Sequence, residues 1–104
     1  MIRISVLYAQ KPGARFDHAY YKNVHCPLVE ERLKDYGVLR VETDRGLRGQ
    51  AEGSPAPFVA IGHVIVDSLE RYQAGLAVHG AEIAADVARY TDLEPVFQIS
   101  EIVS

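Results

Sequence analysis

Few side chains in this 104-residue sequence can move a proton or attack a bond near neutral pH: His18, His25, His63, His79 and the lone Cys26. Histidine is the side chain whose ordinary titration lies closest to neutrality, so each one is a candidate acid or base. Their sequence surroundings separate them. His18 opens a helix, where solvation is the plain expectation. His79 precedes Gly80 at an expected helix break, where a cation suits the terminal carbonyls. His63 lies mid-strand among Val59, Ile61 and Ile65, either as a hydrogen-bonded core or interface histidine or as a group pointing into a cavity. His25 is the sharpest candidate. It precedes Cys26-Pro27, where proline's missing N–H, and its restraint on the preceding residue, disturb a helix. Irregular backbone of this kind clusters at functional sites. Two roles are open to it, capping the second helical piece or acting as a general acid/base. Cys26 is either a thiolate nucleophile or a small buried hydrophobe. Tyr20 and Tyr21 are near enough to wall a pocket around His25, and Tyr8 ends the first strand. Aromatic walls carrying one hydroxyl each suit a small apolar or aromatic ligand.

Missing motifs narrow the chemistry. The chain has no G-x-x-x-x-G-K-[ST], G-x-G-x-x-G, H-E-x-x-H or G-x-S-x-G, so no nucleotide cradle, zinc helix or nucleophile elbow is expected. No carboxylate or second histidine lies three or four residues beyond His25, and a single cysteine makes neither a disulfide framework nor a thiolate site. No cofactor and no metal is therefore expected. A formal charge of −3 argues against nucleic acid, which needs a basic face. No apolar run reaches the ~18 residues that span a bilayer, and no signal segment opens the chain. The expected address is the cytoplasm. Gly46, Gly49 and Gly53 beside Arg45 and Arg48 are spaced too loosely for an anion cradle and read as a flexible surface loop.

These groups need elements to position them. Ile2–Tyr8 alternates and reads as a strand. Asp17 caps a helix, with Phe16 stapled onto Tyr21. The helix should come in two pieces, Asp17–Asn23 and Pro27–Tyr36, closed by Gly37, with His25 in the joint. Val38–Asp44 is a second strand, Arg45–Pro57 a loop, and Phe58–Val66 a third strand. Asp67, with Glu70 three residues on, caps a helix that runs to Tyr90 with a break at His79-Gly80. Glu94–Ile102 is a fourth strand. The whole reads as one domain over residues 1–104. The order βαββαβ predicts an α+β, ferredoxin-like split βαβ arrangement, a four-stranded antiparallel sheet with both helices on one face. Large apolar residues occupy both registers of the strands, so the second face needs a cover. A second copy of the same sheet is the simplest one, and a homodimer is expected.

The run Tyr8, Lys11-Pro12-Gly13, Phe16-Asp17, Tyr20-Tyr21, His25, Pro27-Leu28 resembles the opening of the EthD family, small proteins linked to ethyl tert-butyl ether degradation. The closing run Ala81-Glu82-Ile83, Asp86, Tyr90-Thr91-Asp92, Pro95, Gln98-Ile99-Ser100-Glu101 is similar to that family's C-terminal stretch. The resemblance implies a dimeric α+β barrel, and it places the family's histidine at His25. Related barrels run several reactions, so fold analogy selects none of them. The expectation is a cofactor-free enzyme or oxidoreductase component of small-molecule catabolism, with His25 as acid/base and Tyr8, Tyr21, His63 and Gln98 lining or orienting the ligand. The alternative is a non-catalytic accessory protein that binds the same ligand for a partner oxygenase. A stand-alone hydride transfer is disfavoured, because side chains alone do not supply it.

Overall fold

The computed structural model describes residues 1–104. Four strands, β1 (Ile2–Ala9), β2 (Val38–Arg45), β3 (Phe58–Val66) and β4 (Val96–Glu101), form one antiparallel sheet in the order β2-β3-β1-β4. That order, with two helical crossovers, is the α+β ferredoxin-like split βαβ arrangement. Register fixes the faces. Ile4 pairs with Val64 and Ile99, and Val6 with Gly62 and Phe97, so these side chains share one face. The helices pack there, with Ile4, Val64 and Val66 meeting Val29, Leu33 and Tyr72 in a common core. Leu33 is wholly buried; truncating such a leucine to alanine costs about 2–5 kcal/mol. The other face carries Ser5, Leu7, Ile61 and His63, all half-buried, and Ile65, which is wholly buried.

The first crossover differs from the expected pair of helical pieces. α1 (His18–Tyr20) passes without a break through a π-helical turn, Tyr21–His25, into α2 (Cys26–Leu33). Cys26 has helical dihedrals (φ −64°, ψ −41°), and its N–H reaches back five residues to the Tyr21 carbonyl. Proline is accommodated by widening the helix one turn ahead of it, which avoids the ring's clash with the carbonyl four residues back. Asp17 caps α1, accepting a hydrogen bond from the Tyr20 N–H, and the Phe16 and Tyr21 rings meet at 5.2 Å as a staple. Gly37 closes the segment with φ +81°, a left-handed value that glycine adopts without penalty.

The second crossover, α3 (Leu69–Asp86), runs without interruption through His79-Gly80. A glycine inside a helix costs only about 1 kcal/mol, which tertiary contacts can offset, so the expected break is absent. His79 lies mid-helix, edge-on to Tyr36 at 5.9 Å, rather than at a C-terminus. The N-cap is Ser68, whose hydroxyl accepts from the Arg71 N–H, and not Asp67. Asp67 instead pairs with the Arg71 guanidinium at 3.1 Å. β4 begins at Val96, two residues later than expected, because Pro95 has no N–H to give a ladder. No helix is long and apolar enough to cross a membrane.

Candidate functional site

The helices do not close fully onto the sheet. Between them lies a cavity of about 800 Å³, sixteen of whose twenty-two lining residues are hydrophobic. Its floor is the helix-facing side of β1 and β3. Its roof is the π turn, α2 and the inner face of α3. Phe97 and Ile99 of β4, both more than half exposed, line it on the edge of the sheet.

The polar end sits under the π turn, where the wider turn gives Tyr21, His25 and Cys26 a common inward aspect, and all three are buried and line the cavity. His25 Nδ1 lies 2.9 Å from Asp86 Oδ2, at the C-terminal end of α3. The Tyr20 hydroxyl donates to the other oxygen, Asp86 Oδ1, at 2.7 Å, and Arg89 Nε stands 3.7 Å from it. Burial pushes the Asp86 carboxyl up, but the bonds from His25 and Tyr20 outweigh it and hold the group below the ordinary aspartate value. Asp86 is thus an anion that fixes the Nδ1–H tautomer. It leaves Nε2, which has no protein partner, as the nitrogen with a lone pair to use.

A backbone clamp joins the two halves. The Asp17 N–H bonds the Tyr90 carbonyl at 2.7 Å, and Arg15 N–H donates to Asp92 Oδ1 at 2.9 Å. The Thr91 hydroxyl donates to the Arg15 carbonyl at 2.6 Å, while the Arg15 guanidinium caps the carbonyls of Ala88 and Arg89. These contacts lock the end of α3 against the start of α1, which sets the His25–Asp86 distance.

Beside the dyad lies a cluster of phenols. Tyr8 and Tyr90, each buried, are hydrogen-bonded hydroxyl to hydroxyl. Tyr21 stacks on His25, its ring 5.8 Å away and 17° from parallel. Its hydroxyl rests on Gly62, where any Cβ would collide with it. Burial raises the pKa of Tyr8, Tyr21 and Tyr90, so all three stay protonated donors. Burial also pushes the Cys26 thiol up to about 12. At neutral pH it is a thiol, which disfavours it as a nucleophile.

The structure therefore brings Tyr8, Tyr21, His25 and Cys26 together, keeps His63 in the cavity lining and sets Gln98 elsewhere. His63 borders the cavity from the strand beneath it, while alternation with Val64 places it in register with Ser5 and Glu42 on the other side of the sheet. There Nε2 meets Asp44 Oδ2 at 2.8 Å. Gln98 pairs in register with Ser5 on that same face and bonds the Ser100 hydroxyl at 3.1 Å. His18, expected in solvent, is half-buried against Phe16 at 4.7 Å. Asp86 and Tyr20 hold His25 although nothing in their spacing assigns them that part. The only sequence trace is that Asp86 sits one helical turn before Tyr90. No three His, Cys, Asp or Glu side chains converge as metal ligands would.

The family model described as EthD domain matches residues 13–94. The chain is similar to a solved EthD-like protein from Ralstonia eutropha JMP134, at 47% identity over 99% of this chain and 92% of that one, with a TM-score of 0.94. An ethyl tert-butyl ether degradation family protein from Bacillus halodurans C-125 matches at 19% identity, over 99% of each chain, with a TM-score of 0.72. A dimeric ferredoxin-like protein from an uncultured marine organism shares the fold at 14% identity, over 100% of this chain and 96% of that one, with a TM-score of 0.61. No curated protein matches the chain.

Proposed function

This chain belongs to the EthD family, and on that premise we propose that it is a homodimer whose cavity binds a small apolar or aromatic metabolite and transforms it by cofactor-free acid/base catalysis at His25. The observation that carries this reading is the pairing of His25 with Asp86 at the one polar end of an apolar cavity. A carboxylate on Nδ1 fixes the ring's orientation and tautomer, the arrangement a general base needs. A positioned base contributes typically ~10²–10⁴-fold, enough for a proton transfer, an isomerisation or a dehydration. The surrounding apolar wall supplies binding.

The homodimer draws on the open face of the sheet. Leu7 and Ile61 are half-buried there without a covering layer. His63 Nδ1 is buried on that face with no hydrogen-bond partner, and a buried polar atom of this kind calls for one. A second sheet laid against this face covers the first group and can supply the second.

Thermal unfolding in the presence of phenols, quinones, lactones and small ethers is the first test. A ligand held only by the native state at a hundred times its Kd stabilises by about 2.7 kcal/mol. Turnover of whichever compound binds is then compared with His25→Gln. Loss of turnover with binding retained supports the reading. Turnover that survives the substitution overturns the role of His25, and tight binding with no turnover by the wild type favours the non-catalytic accessory protein instead.

A further inference from the structure

We propose that Tyr21 is the catalytic partner of His25, an acid set beside the base, and that the cavity takes neutral apolar carbonyl compounds with an acidic C–H next to the carbonyl. This rests on the acid/base reading above and names its substrate class. Tyr21 and His25 stand four residues apart, on the π turn, with their rings stacked at 5.8 Å and 17°. Both line the cavity. The Tyr8 and Tyr90 hydroxyls are committed to one another. The Tyr21 hydroxyl lies against the Tyr8 hydroxyl and the Cys26 thiol and donates toward them, and a ligand oxygen entering the cavity competes for that proton. Gly62 holds that hydroxyl in place, because only a residue without Cβ lets it rest on the sheet.

A base and a neutral donor side by side match the two ends of an enolisation. The lone pair of His25 Nε2 takes the proton from the carbon next to the carbonyl. The C–H electron pair becomes the new C=C bond, the carbonyl π pair moves onto oxygen, and the Tyr21 O–H stabilises that charge by hydrogen bonding. Return of the proton from Nε2 to the same or a conjugated carbon restores the enzyme. No oxidant or reductant is consumed. Charge narrows the class further. No Lys or Arg lines the cavity, and its one carboxylate is Glu94, so a ligand carboxylate would meet repulsion and no counter-ion.

The test uses β-tetralone, a neutral ketone, and tetralin, its carbonyl-free counterpart, with the full-length protein in heavy water. Proton NMR follows exchange of deuterium into the positions next to the carbonyl. The wild type is expected to accelerate exchange. Tyr21→Phe, which keeps the ring, the stack and the contact with the sheet, should slow it by about 10²-fold, the typical cost of one donor to an oxyanion, while tetralin affinity is unchanged. His25→Gln should abolish it, and naphthoate should not bind. Equal rates in wild type and Tyr21→Phe, or bound β-tetralone with no exchange in the wild type, overturn the proposal and leave the binding cavity standing. If neither β-tetralone nor tetralin binds, the cavity reading beneath it falls as well, and that is read from binding alone.

Discussion

Asp86 is held below the ordinary aspartate pKa although burial alone would raise it, because His25 and Tyr20 both bond to its ionised form. A carboxyl whose folded value is depressed adds stability above its unfolded value, and that stability is lost as pH falls through the folded one. Asp86→Asn should therefore cost about 1.5–3 kcal/mol near neutral pH, the range for hydrogen bonds to a charged group. Measured by urea unfolding, the gap between wild type and Asp86→Asn should hold from neutrality down to the usual carboxyl value of 3.8 and shrink below it. A gap that does not change with pH would mean that the carboxylate charge is not what holds the site. The asparagine also offers an N–H to Nδ1, which favours the wrong tautomer of His25, so activity should fall further than stability. Gly62→Ala tests the neighbouring contact. Its methyl would collide with the Tyr21 hydroxyl, and displacing a packed ring costs about 1–3 kcal/mol. Thermal unfolding should show that loss, and ligand affinity should fall with it. His25 was legible from sequence because proline two residues on marks the irregular turn. Asp86 was not, since the two lie 61 positions apart and are brought together by tertiary contacts, among them the clamp between residues 15–17 and 88–92 and the Arg32–Glu82 pair.

At the scale of elements, strands were easier to read than helix ends. β3 has the expected limits, since a run of β-branched residues bounded by Pro57 and Asp67 has few other ways to fold. Helix punctuation depends on competition between neighbours that spacing does not decide. Asp67 and Ser68 are both good caps. Asp67 is drawn off by the Arg71 guanidinium and packs beside Gly37, which leaves the helix N-terminus to Ser68. Ser68→Ala should accordingly cost about 1 kcal/mol, the usual price of a lost cap. Asp67→Ala should cost less, because its ion pair is largely exposed and such pairs contribute 0–1 kcal/mol. Chemical denaturation of the two variants ranks them, and the reverse order would reinstate Asp67 as the cap. The π turn shows the same limit in another form. Pro27 announces a disturbance in the helix, yet it does not say whether the helix breaks or widens. Widening wins because Tyr21 and Cys26 are both needed in the core around Tyr8 and Tyr90, and a break would release one of them.

At the scale of the molecule, the sheet has one face covered by helices and one that carries Leu7 opposite Ile61, flanked by His63. An antiparallel sheet can leave one face to water when that face is polar, and the expectation of a cover came from seeing large apolar residues in both registers. Part of that signal has another origin. Phe97 and Ile99 lie on the helix side and border the cavity, so the open face is less apolar than the strands read one at a time imply. What remains is a central apolar stripe bordered by Ser5, Gln98, Glu42 and Asp44, an apolar centre with a polar rim, the layout of an interface rather than of a solvated face. The proposed homodimer is therefore tested at the centre of the stripe. Light scattering should give twice the 11.5 kDa chain mass. Ile61→Glu, which puts a charge into the apolar centre of that interface, should return the protein to a single chain. Because Ile61 faces away from the cavity, the helical core should stay folded by circular dichroism. A wild type that runs as one chain at micromolar concentration, or an Ile61→Glu variant that still pairs, would place the contact elsewhere or remove it. His63 adds a second reading of the same surface. If a partner satisfies its Nδ1, the ring's proton NMR signal should shift on dissociation in the Ile61→Glu variant, and an unchanged signal would mean that the imidazole lies outside the interface.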